Sequence, residues 1–361
     1  MKPVHHQSIV ADLASARRRR TTALLLLAIG LLMALVTLSM TRGAVAIPAS
    51  DVMQVIRRLI SPEAEAGRLD LVILNIRLPR TVLALMVGAA LALSGAVMQG
   101  LFRNPLADPG LVGVSAGAAL AAGATIVLGD LWLAPLFGKP PFFLLPVGAF
   151  AGGLVSTLLL YAIATRNGRT SIATMLLAGI ALGALAGALS GFLAYLSDDR
   201  QLRDLTFWSL GSLGGSSWIK VMAVAPILVP LMLAAPFLAR GLNGLALGEA
   251  EAFHLGLPVQ RIKAAAIVLV ALAVGASVAV AGMIGFVGIV VPHLVRLILG
   301  PNHHALLPAS AVGGAILLLG ADILARTIVS PAELPIGIIT AAIGAPFFLW
   351  LLLRKQGGFG L

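Results

Sequence analysis

The sequence predicts an all-α, polytopic membrane protein of about ten transmembrane helices, and two observations predict it. Of 361 residues, 59% are hydrophobic and 11% charged, with a mean hydropathy of +1.03, and no water-soluble surface can be assembled from the remainder. Roughly ten apolar stretches, each near the ~20 residues that a bilayer crossing needs, fill almost the whole chain. Polar residues are confined to the gaps between them. Ten spans use about 200 residues and leave loops but no separate soluble unit, so residues 1–361 read as one transmembrane domain.

The spans fall at about 21–41, 80–101, 111–129, 142–164, 171–196, 218–239, 264–282, 284–299, 305–328 and 335–353. The first follows Arg17-Arg18-Arg19-Arg20. A basic run before an apolar stretch also opens a secretory signal peptide, but the stretch from Thr21 to Met40 is too long for a signal-peptide apolar core. It reads as a first helix preceded by a basic cytoplasmic segment, residues 1–20. With that segment inside and the spans alternating, both termini are cytoplasmic, and 14 of the 25 Lys and Arg lie inside against 11 outside. That margin is thin, so the orientation rests on the terminal cluster beside the first helix. The formal charge of +11 thereby belongs to loops and helix ends beside anionic lipid, and no nucleic-acid partner is expected. The absence of cysteine excludes disulfides, thiolate metal ligands and cysteine nucleophiles.

An internal repeat emerges when the chain is slid against itself by about 187 positions. Val87-Gly88-Ala89 then aligns with Val274-Gly275-Ala276, Ala92 with Ala279, Gly95 with Gly282 and Pro105 with Pro292. The aligned helices are the second and seventh spans, five apart, so they run in opposite directions, as in an inverted-repeat bundle. Small residues recur at helical spacing, most strictly at Gly179, Gly183, Gly187 and Gly191. Such rows let helices approach closely in lipid. Whether this row serves the subunit or a subunit contact is open at this point.

Catalytic groups are scarce. The chain has no HExxH motif, and Gly138-Lys139 is followed by Pro140 without the upstream glycine of a phosphate-binding loop. Within the spans Asp322 is the conspicuous ionisable residue, and its spacing from Arg326 makes a helical i,i+4 pair the expected explanation. An ion-coupled transporter usually needs more buried charge than this. Energy for any transport therefore has to come from elsewhere. The amphipathic segment Leu245–Pro258, between the sixth and seventh spans, carries Glu249 and Glu251 and is closed by Gly256 and Pro258. Its acidic face suits anionic headgroups poorly, so it reads as a docking helix for a cytoplasmic protein rather than an interfacial helix.

Five motifs, in order, resemble one family. They are Ile76-Arg77-Leu78-Pro79-Arg80, the run Ser94 to Ala107, the loop around Leu255-Gly256, Gly285-Phe286-Val287-Gly288 with Val291-Pro292-His293, and Glu333-Leu334-Pro335-Ile336-Gly337. Together, over residues about 70 to 353, they look like the FecCD-type permease subunits of ABC importers for iron-siderophores, haem and vitamin B12. The resemblance implies a ten-helix subunit paired with a copy of itself into twenty helices in the bacterial inner membrane. It implies two cytoplasmic ATPase subunits and a periplasmic substrate-binding protein, and it makes the chain a translocation subunit rather than an enzyme. Coupling to the ATPase falls on Leu247, Gly248, Glu249, Ala252, Leu255, Gly256 and Leu257. By position, Arg77, Arg80 and Arg326 fall where the family offers basic residues to acids on the binding protein, a use of charge that positions a transient partner.

The segment Asp198 to Gly215 looks most like the haem members, so haem is the expected cargo, with ferric siderophore or cobalamin as alternatives and no permanently bound cofactor. Arg203, Phe207 and Trp208 are the pathway candidates: Arg203 to meet a propionate or to pair locally with Asp199, and the two aromatics to pack on a macrocycle or to anchor at the interface. His293, His303 and His304 read as structural polar contacts rather than metal ligands.

Overall fold

An apolar segment can satisfy its backbone inside a bilayer by bonding every N–H and C=O within itself as a helix. The computed structural model describes residues 4–43, 46–60, 68–132 and 143–355, and there the ten apolar stretches are ten helices in the expected order. Among the described residues, seven are long and apolar enough to cross a membrane and three are shorter. In chain order the helices are α1 (Val4–Thr41), α2 (Ala49–Ile60), α3 (Arg68–Val72), α4 (Leu78–Leu101), α5 (Val114–Trp132), α6 (Leu144–Ala164), α7 (Ile172–Leu196) and α8 (Asp199–Ser209). They continue as α9 (Trp218–Ala234), α10 (Ala239–Leu247), α11 (Glu249–His254), α12 (Val259–Ala281), α13 (Val287–Leu299), α14 (His303–Ala325) and α15 (Ile336–Lys355).

Helix α4 is the hub. From Leu78 to Leu101 nearly every residue is buried, against α14, α13, α12 and α9. Glycine makes the approach possible: a methyl built on Gly88 would overlap the Gly314 carbonyl, and one on Gly95 would overlap the Gly288 carbonyl. Gln99 adds a polar tie, donating from Nε2 to the Ile289 carbonyl at 3.2 Å. Helix α12 is also largely buried, whereas α1 and α7 present most of their surface outward.

Just before α4 the helix widens into a π turn, Ile73–Arg77, where the Leu78 N–H bonds back to the Ile73 carbonyl. Pro79 explains it. A proline has no N–H to return to the preceding turn, and a wider turn accommodates the missing bond. Arg77 and Arg80, three residues apart, consequently share one buried face.

Several features depart from the sequence reading. The first helix starts at Val4, so the described part of the basic segment continues the helix instead of preceding it. Short helices α2, α3 and α8 occupy loops. Helix α2 is amphipathic, and Val52 and Val55 sit in a satellite core with Met40, Ile47 and Ile73. Between α6 and α7 stands a two-stranded hairpin, β1 (Thr165–Arg166) paired antiparallel with β2 (Arg169–Thr170). Its Asn167-Gly168 turn has positive φ at both residues, the signature of a tight hairpin. The segment expected to be one docking helix is two helices, α10 and α11, broken at Gly248. The Gly138-Lys139 pair lies outside the described residues.

The glycine row on α7 is resolved by its surroundings. Gly179 packs on the Leu111 carbonyl, but a Cβ at Gly183, Gly187 or Gly191 would meet no neighbouring atom within 4 Å among the described residues. Gly95→Ala is therefore expected to destabilise the fold by about 1–3 kcal/mol or more, as overpacking does, whereas Gly183→Ala leaves the isolated chain unharmed. Thermal unfolding of the two variants in detergent measures the contrast, and equal midpoints would contradict it.

Candidate functional site

Charge is scarce in this chain and gathers at the two ends of the bundle. At the end that carries α2 and α8, three helices and a loop contribute to one buried network. The Arg80 guanidinium donates from Nε to Asp322 Oδ1 at 2.9 Å and from an outer nitrogen to Glu333 Oε1 at 2.7 Å. Asp322 Oδ2 lies 3.4 Å from Arg326 Nε, which is the i,i+4 pair that the spacing predicts. Arg326 in turn donates to Ser39 Oγ at 2.6 Å, and Ser39 Oγ is 2.7 Å from Thr81 Oγ1. Arg77 donates to the Met40 carbonyl. The network thus ties α1, α4, α14 and the loop before α15.

All three arginines singled out from the sequence converge here, but their side chains are turned inward. Arg77, Arg80 and Arg326 are buried, Asp322 is wholly so, and Glu333 is the exposed member, with its side chain 42% accessible. Arg77 and Arg80 were recognisable as candidates; the partners Ser39, Thr81 and Glu333 were not. A serine in an apolar run and a glutamate 253 positions from Arg80 carry no local signal that they meet.

At the opposite end lie the hairpin, α10 and α11. Gly248, at φ +134°, breaks the segment, and a side chain there would collide with the Glu251 carboxylate. Gly256, at φ +75° with open space around it, ends the turn after α11. Ala252 is buried against the bundle, while Leu247, Leu255 and Phe253 project outward, Phe253 with 72% of its surface free. Three exposed apolar side chains beside Glu251 and His254 form an apolar patch with a polar rim, a pattern that marks an interaction surface. Phe253 was absent from the sequence-derived set. Its face of α11 becomes evident only once Ala252 is seen to point inward. Leu257 is half-buried, and Glu249 ion-pairs with Lys263 at 2.6 Å.

The pathway candidates separate. Helix α8 starts in a capping box, in which Asp198 accepts from the Gln201 N–H at 2.7 Å and Gln201 accepts from the Asp198 N–H at 3.2 Å. Arg203 and Phe207, four residues apart, lie on its exposed face, and among the described residues no ion pair joins Arg203 to Asp199. Trp208 instead packs on the main core. Two of the histidine rings hold structure: His303 Nδ1 is 2.8 Å from Asn243 Oδ1 and the His293 ring packs on Phe347, whereas His304 is exposed and only its backbone N–H bonds, to Asn302 Oδ1. Among the described residues no group of three His, Cys, Asp or Glu is placed to hold a metal.

A bundle of ten apolar helices with an exposed apolar foot at one end has the form of a membrane permease that docks a partner protein. The profile of the FecCD transport family matches residues 31–354, and the chain belongs to that family. It is 50% identical over 286 residues to the hemin transport system permease protein HmuU of Yersinia pestis, covering 78% of this chain and 83% of the relative. It is 46% identical over 288 residues to the vitamin B12 import system permease protein BtuC of Klebsiella pneumoniae, covering 80% and 84%. Among solved structures it is similar to an inward-facing metal-chelate type ABC transporter, with a TM-score of 0.80 and 33% identity over 92% of this chain and 99% of the other.

Removing the central anion would leave the buried Arg326 guanidinium without its paired carboxylate and Arg80 with Glu333 alone. Asp322→Asn is expected to cost about 3–5 kcal/mol, and Glu333→Gln, at an exposed position, less than about 1 kcal/mol. Unfolding midpoints in detergent should rank the two in that order, and the reverse order would show that Glu333 is the anchor.

Proposed function

We propose that the chain is the translocation subunit of a haem importer, moving its cargo inward across the bacterial inner membrane and leaving ATP hydrolysis to a separate subunit. The observation that carries this reading is the exposed apolar foot, Leu247, Phe253 and Leu255, on a chain without a phosphate-binding loop of its own. Such a foot gives a cytoplasmic ATPase something to grip. Coupling falls on the segment from Leu247 to Leu257, where Ala252 and Leu257 seat the two helices and Gly248 and Gly256 set their angle. With that foot and the Arg17–Arg20 cluster cytoplasmic, both termini face the cytoplasm.

The opposite end then faces the periplasm and receives a substrate-binding protein. Arg80 is held there by Glu333, so a partner carboxylate would engage it by taking the place of that exposed acid. Arg77 and Arg326 sit deeper and stiffen the platform. A second copy of the chain completes the pathway. The outward face of α7, with Gly183, Gly187 and Gly191 uncovered, supports a close contact between copies. Arg203 and Phe207, displayed together on α8, suit an anionic propionate and a flat macrocycle. The identity to a hemin permease favours haem over the cobalamin of the next relatives.

Reconstitution tests this. Vesicles holding the permease, its ATPase and its binding protein should accumulate labelled haem with ATP, and vesicles holding this chain alone should accumulate none. Uphill uptake by the chain alone would identify a secondary transporter, and preference for labelled cobalamin or a ferric siderophore would reassign the cargo. Within the complex, Gly256→Val forces a β-branched residue into a left-handed turn, at about 1–2 kcal/mol. It is expected to preserve ATP hydrolysis while lowering uptake, and unchanged uptake would remove that turn from the coupling route.

A further inference from the structure

Lys263 is the largest fully buried side chain of the bundle. An ammonium in that position is costly unless it is paired and hydrogen-bonded, and its partners belong to two different elements. Nζ lies 2.6 Å from Glu249 Oε1, on the first residue of α11, and donates to the Thr170 carbonyl at 2.9 Å. One turn earlier on α12, Gln260 Oε1 accepts the Thr170 N–H at 3.0 Å. Both backbone polar groups of Thr170 are therefore held by α12. The next residue, Ser171, is the N-cap of α7, its hydroxyl accepting from the Thr174 N–H at 3.3 Å.

The chain of contacts runs from the docking helix through one ammonium to the start of α7. That helix is among the least enclosed in the bundle, packed on α5 and α6 along one side and open along the other. Its inner end is fastened by the clamp on Thr170. From this geometry we infer that Lys263 is a positioning residue that transmits displacement of α11 to α7, coupling the ATPase to the helix whose uncovered face is proposed above to meet the second copy. The inference rests on the docking role proposed above for α11. A buried ammonium with two short bonds transmits displacement because loss of Glu249 leaves a buried charge unpaired and loss of the Thr170 carbonyl leaves one of its donors unsatisfied.

Lys263→Met keeps an apolar stem of similar length and removes both bonds. In vesicles with ATPase and binding protein, the variant is expected to retain the ATPase subunit and its hydrolysis while haem uptake per ATP falls about tenfold, within the range of coupling between linked sites. The chain has no cysteine, so spin labels at Arg169→Cys and Ala250→Cys report the spacing between hairpin and docking helix directly. In the otherwise unchanged chain that spacing should stay constant when ATP binds, and in Lys263→Met it should change. If Lys263→Met does not fold, the labelled Lys263 chain alone decides, because a spacing that shifts on ATP binding overturns the inference. Unaltered uptake per ATP in a Lys263→Met complex overturns it too while leaving the docking role standing. A wild-type chain that binds no ATPase removes the docking role, and the inference with it.

Discussion

Close backbone approach along α4 is the constraint on which the rest of the structure depends. Lipid tails are as apolar as leucine, so burial of apolar surface does not draw one transmembrane helix to another, and contact distance does the work instead. Gly88 against Gly314 and Gly95 against Gly288 bring α14 and α13 onto α4 at spacings that any side chain would prevent. With α4 buried on all sides, α12 and α9 close around it, and α1, α6 and α7 are left on the periphery. The peripheral helices are the ones with surface available for lipid or for another subunit.

The sparse charges fasten the ends of this bundle. At one end Arg80, Asp322 and Arg326 bind α4 to α14 and, through Ser39, to α1. At the other, Lys263 binds α12 to the docking helix and the hairpin. Both arrangements place buried cations on backbone or carboxylate oxygens, and each leaves one carboxylate, Glu333 or Glu249, partly exposed. The interior between them is apolar and stepped with small residues. Motion of one end relative to the other therefore passes through rigid helices whose attachments are few and identifiable.

Much of this was legible in the residue order. Ten apolar runs of bilayer length become ten helices because each run must satisfy its own backbone, whatever its neighbours are. The Asp322–Arg326 pair follows from helical spacing alone, and the family follows from five motifs in sequence. The break at Gly248 was less legible. An amphipathic stretch reads as one helix until a φ of +134° at one glycine separates it into two. The hairpin at Asn167-Gly168 is too short for a periodic signal, although its turn residues are the favoured ones.

The sequence by itself determined the membrane-spanning class, the number and order of the long apolar helices and the family, because these depend on local hydrophobicity and short motifs. Tertiary structure decided which charges meet. Arg80 and Glu333, or Lys263 and Thr170, lie far apart along the chain and are joined only by the crossing of helices, which no local pattern encodes. It also decided that three conspicuous arginines turn inward and that Phe253 turns outward. The side of a helix that a residue occupies is set by the neighbours packed against the other side.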